Sequence, residues 1–104
     1  MIENKVLREQ LIEKSDFKEA QVDEMVKKIN TLSPEIYAAF EEWFQSGKIK
    51  DIEIEGYTVE SLRMKNPKMN PIAAYLTLDW LKREPVKAKI AIEQPHIEFG
   101  FKRT

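Results

Sequence analysis

The chain has no cysteine, and it has only one histidine and three glycines among its 104 residues. Without cysteine there are no disulfides, no thiolate zinc sites and no cysteine nucleophile. The single histidine, His96, sits beside Pro95 with no second ligand in register and no orienting partner, so it reads as an exposed turn residue. The glycines stand at 47, 56 and 100, each near a boundary between elements. No glycine-rich phosphate loop, dinucleotide fingerprint or nucleophile elbow can be written from them. Behind the opening residues there is no apolar run long enough for a signal peptide or a membrane span. The expectation is a cytoplasmic protein with no membrane association, no catalytic, cofactor-binding or metal residues, and hence no enzyme activity.

What is present is the composition of a folded globule. Hydrophobic residues make up 42% and charged residues 34%, the latter above the usual level of about one quarter, which indicates a well-solvated surface. The length suits one domain spanning 1–104 with a real core. Net charge is only -1, but it is unevenly spread: residues 1 to 47 hold six Lys/Arg against ten Asp/Glu, and residues 48 to 104 hold eleven against eight. Such polarity suits an anionic partner or head-to-tail self-association, although a mixed solvated surface has the same signature.

Apolar spacing predicts mainly helix. Ile2, Val6, Leu7, Leu11 and Ile12 form a stripe over 2–14. A second helix opens on Asp16 and Glu19, which have the form of a capping box, and carries Val22, Met25, Val26 and Ile29. Ser33 before Pro34 opens a third, Gly47 closes it, and Ile36, Phe40, Trp43 and Phe44 make its buried face. Residues 51–55 alternate as a short strand. Thr58 caps a short helix with Val59, Leu62 and Met64 inward, which stops at Asn66 and Pro67. Asn70 and Pro71 launch the most apolar helix, 72–83, with Trp80 in its core. From Val86 to Glu93 helix and strand are evenly matched, and Ile97, Phe99 and Phe101 alternate as a strand. The fold class is therefore mainly α, with four to five helices, a short strand near 51–55, a pattern suited to a C-terminal strand pair, and 81–104 partly irregular or β.

Three features invite chemistry. Asp51, Glu53 and Glu55 followed by Gly56 copy the first half of a calcium loop, but its twelfth position, where a bidentate carboxylate is required, is Leu62. Asp79 lies between Leu78 and Trp80 inside the apolar helix, where burial would raise a carboxyl pKa. Arg83 follows at i+4, so the plainer reading is a surface ion pair. Tyr37, Phe40, Trp43 and Phe44 offer an aromatic groove for a partner helix or, more simply, core facing 71–83.

Residues 58–83, a short helix, a turn at Asn66 and Pro67 and a longer helix from Asn70, resemble the paired helices of helix-turn-helix proteins. With strands at 51–55, 88–93 and 97–102 the order would be that of a winged helix. The resemblance implies a nucleic-acid-binding protein that sets Arg63, Lys65, Lys68, Lys82, Arg83 and Lys87 against phosphates. The would-be recognition helix begins Pro71-Ile72-Ala73-Ala74, which offers base edges nothing polar. The first expectation is therefore a small binding or regulatory protein that acts through a protein partner or by forming a homo-oligomer. Nucleic-acid binding is the alternative, with those six basic residues as the candidate contacts for an anionic partner.

Overall fold

The computed structural model describes residues 2–14 and 18–93. The chain divides into two compact units, residues 1–32 and 33–104. Among the described residues there are six helices and one two-stranded sheet, so the mainly helical class holds with one or two more helices than the spacing indicated.

The first unit pairs α1 (Asn4–Lys14) with α2 (Glu19–Asn30). Leu7, Leu11, Val22, Met25 and Ile29 are buried, whereas Val6 and Ile12 are exposed. The buried set of α1 is thus narrower than its apolar stripe, being the i, i+4 pair alone. Helix α2 starts at Glu19, two residues later than the Asp16 cap predicts, and Asp16 itself lies outside the described residues. Gln21 performs the reciprocal half of a capping box, its Oε1 accepting from the Lys18 backbone N–H at 2.9 Å. Arg8 bridges to α2 through Glu19 at 2.8 Å and through Asp23.

The second unit is built around α5 (Pro71–Arg83), whose residues from Ile72 to Asp79 are all buried. Asn70 caps it, Oδ1 accepting from Ala73 N at 2.9 Å, with Pro71 in the first turn where a missing N–H costs nothing. Helix α3 (Pro34–Ser46) packs on α5 through Phe40, whose ring meets Tyr75 edge-on at 6.2 Å and Phe44 at 5.6 Å. The aromatic stripe is core, although Trp43 and Phe44 are only half-buried. Gly47 ends α3 at φ +79°, in the left-handed region that glycine enters without a Cβ clash.

The alternating acids form a hairpin rather than a lone strand. β1 (Glu53–Ile54) pairs antiparallel with β2 (Tyr57–Thr58), in register Glu53 to Thr58 and Ile54 to Tyr57. Glu55 and Gly56 turn the chain with φ of 54° and 85°, the two positive values that a tight primed turn requires. Helix α4 (Val59–Lys65) follows at once, burying Val59 and Leu62.

Three expectations are corrected by the structure. Residues 85–93 form a helix, α6 (Pro85–Glu93), and not a strand at 88–93 or irregular chain. Pro85 begins α6, where its fixed φ and absent N–H suit a first turn, and Ala88, Ala91 and Ile92 then bury one side. Met64 is 74% exposed instead of inward. Trp80 is half-buried, with its Nε1 donating to Glu84 at 3.2 Å, so it lies at the margin of the core. The strand pattern at 97–102 and His96 lie outside the described residues.

Candidate functional site

Asp51, the first acid of the calcium-like run, works as a helix cap. Its Oδ1 accepts from Val59 N at 2.7 Å and from Ile52 N at 3.0 Å, and its Oδ2 accepts from Glu60 N at 3.2 Å. Thr58 Oγ1 takes the next amide, Ser61 N, at 3.0 Å, while Ser61 Oγ accepts from Thr58 N at 2.8 Å. The first amides of α4 are thereby all engaged, and a carboxylate meets the positive end of the helix. Glu55 turns elsewhere, to Lys89 at 3.1 Å, and among the described residues no group of three His, Cys, Asp or Glu is placed to hold a metal ion. Melting curves recorded with excess chelator and with added calcium are expected to superimpose. A calcium-dependent rise of several degrees would show that these acids bind the ion.

Asp79 departs from the surface-pair expectation. It is 1% exposed, Oδ1 accepts from the Ser33 backbone N–H at 3.0 Å, and Oδ2 lies 2.5 Å from an Arg83 nitrogen. Ser33 stands at the N-cap of α3 but its own hydroxyl makes no cap bond, so Asp79 reaches from α5 to hold the start of α3. Lys82 adds a second tie to the same turn through Glu35. Asp79 is thus sealed from solvent with one oxygen on a backbone N–H and the other beside the Arg83 guanidinium, which suits a structural part.

A smaller polar cluster joins the hairpin to α6. The Tyr57 hydroxyl donates to Glu93, and Lys65 Nζ lies 3.4 Å from the same carboxylate. The hydrogen bond from Tyr57 and then the one from Lys65 lower the Glu93 pKa below its ordinary 4.5, while the Glu93 acceptor, with desolvation behind it, raises the Tyr57 pKa above 10.0. The small stabilisation from this exposed carboxylate is present above its unfolded value near 4.5 and is lost as pH falls through the lower folded value. In a carboxylate NMR titration, Tyr57→Phe is expected to move the Glu93 midpoint upward. An unchanged midpoint would mean that the hydroxyl does not reach Glu93 in solution.

An open groove of about 480 Å³ runs along α4, lined by Ile49, Asp51, Val59, Glu60, Arg63, Met64 and Pro67. Val59 is buried, Ile49 is 37% exposed and Met64 is 74% exposed. Arg63 is held over the groove by its Nε, which donates to Met69 O at 3.1 Å. Such a volume suits a side chain or two of a ligand, with apolar walls and a few polar groups to orient it.

The six basic residues expected to meet an anion are mostly engaged within the protein. Lys65 pairs with Glu93, Lys82 with Glu35, Arg83 with Asp79, and Lys87 with Glu84 at 3.7 Å. Lys68 is exposed without such a pair among the described residues, and Arg63 borders the groove. The first turn of α5 is unavailable to a DNA groove, since Ile72, Ala73 and Ala74 are all buried. Sequence reasoning missed Ile49 and Pro67 and placed Met64 inward, although a signal was there. Met64 lies five residues after Val59, about 140° around the helix from that buried position, and so stands out of phase with the core. Among the described residues no helix is long and apolar enough to cross a membrane. Neither a known protein family, nor a curated protein, nor a solved structure matches the chain.

Proposed function

We propose that this protein is a small non-enzymatic binding module that recognises a protein partner through the α4 groove. The observation that carries the reading is Met64: a large, flexible apolar side chain, 74% exposed, at the edge of a groove floored by buried Val59. Leaving such a side chain in water at a concave site is typical of adaptable protein-binding surfaces, where the thioether repacks around a guest. Ile49 and Pro67 supply further apolar wall, and the capped first turn of α4 makes the floor rigid. Nucleic-acid binding has less support, because four of the six candidate basic residues already face carboxylates and α5 has no free first turn.

A phage-displayed library of random short peptides, panned on the full chain, tests the reading. Enriched peptides are expected to bind the wild type and to lose at least about tenfold in affinity against Met64→Asp. That variant should itself melt within about 0.5 kcal/mol of the wild type, since Met64 contributes little to the core. Enriched peptides that bind Met64→Asp as well as the wild type would place recognition elsewhere.

A further inference from the structure

Resting on the groove as the binding surface, the charge around it points to one kind of occupant. Ile49 lies between Lys48 and Lys50, and Pro67 is followed by Lys68; all three lysines are exposed. Consecutive Cα atoms are about 3.8 Å apart, so each of these lysines springs from the backbone next to a lining residue, with the groove edge in reach of its long side chain. Among the described residues none of Lys48, Lys50, Arg63 or Lys68 has a carboxylate partner, unlike the lysines of α5 and α6. Of the two acids in the lining, Asp51 has its charge spread over three backbone N–H groups at the start of α4, and Glu60 is exposed; the four cations outnumber the pair.

We infer that the groove receives an acidic, amphipathic peptide segment of a partner protein. One large apolar side chain of that segment rests on Val59 between Ile49 and Met64, and its carboxylates face Lys48, Lys50, Arg63 and Lys68. Apolar contact supplies the anchoring, and the four cations supply steering and orientation. A nucleic acid satisfies the cations but not the apolar floor, so a peptide is the better match. Glu60 adds selection against strands of continuous negative charge.

The library described above separates this inference from the reading beneath it. Peptides enriched on the full chain are expected to combine one aliphatic or aromatic residue with several Asp or Glu. A synthetic peptide from that set should bind about tenfold more weakly to Lys48→Glu/Lys68→Glu, and progressively more weakly as salt rises above about 0.15 M. Both substitutions are exposed, and a melting curve checks that the variant is folded. Enrichment of basic or uncharged peptides that still depend on Met64 would overturn the acidic occupant and leave the groove standing. Failure to enrich any Met64-dependent peptide would overturn both. Binding of a random DNA duplex that is lost in Lys48→Glu/Lys68→Glu but unchanged in Met64→Asp would replace the peptide with a nucleic acid.

Discussion

Alanine at Phe40 is expected to cost about 3–5 kcal/mol, the range for emptying a fully buried aromatic site. Phe40 has no exposed surface, and its ring lies 5.6 Å from Phe44, 5.8 Å from Trp43 and 6.2 Å from both Tyr37 and Tyr75. Removing it leaves those rings with a void that the rigid α5 backbone cannot close, and it also removes the edge-to-face contact with Tyr75. With small domains stable by only about 5–15 kcal/mol, such a loss is a large part of the total. Trp80→Ala should cost distinctly less, because Trp80 is half-buried at the margin. Denaturant titrations of the two variants check the order; the reverse order would mean that the centre of packing lies on the Trp80 side of α5.

The second large effect is at Asp79. Asp79→Asn is expected to cost about 1–3 kcal/mol, more than the ceiling of about 1 kcal/mol for an exposed ion pair. The amide oxygen can still accept from Ser33 N, but the bond loses its charge assistance and an NH2 group replaces Oδ2 beside Arg83, donor against donor. Lys87→Ala, which removes an exposed pair at 3.7 Å, should fall within about 0.5 kcal/mol and serves as the control. Asn at 79 behaving like Ala at 87 in chemical denaturation would show that the carboxylate is solvated.

Periodicity read the helices well and the margins poorly. Val22, Met25 and Ile29 sit at helical spacing and are buried, and the devices at Ser33-Pro34, Thr58 and Asn70-Pro71 all mark helix starts. The start of α2 was displaced because Asp16 looked like a cap, whereas Gln21 closes the turn from the other side. The α6 region was ambiguous because Ile90 and Ile92 favour strand locally, while burial of Ala88, Ala91 and Ile92 decides for helix. Asp79 was misjudged for a related reason. The i+4 spacing to Arg83 is visible in sequence, but the Ser33 N–H that donates to the other oxygen is 46 residues away and leaves no local trace. Asp51 capping α4 is likewise a contact across a hairpin, invisible until β1 and β2 pair. The groove was legible only in outline, through the out-of-phase Met64. Its walls at Ile49 and Pro67 come from segments that meet only when the hairpin and α4 are folded together.

The central claim, that the α4 groove is where a protein partner binds, is tested most directly by methyl NMR of the full chain titrated with a library-selected peptide. The account predicts that shift changes concentrate at the Ile49, Val59 and Met64 methyls, with the Leu78 and Leu81 core methyls of α5 little moved. Changes centred away from these three residues, with the groove methyls unmoved at saturation, would contradict it.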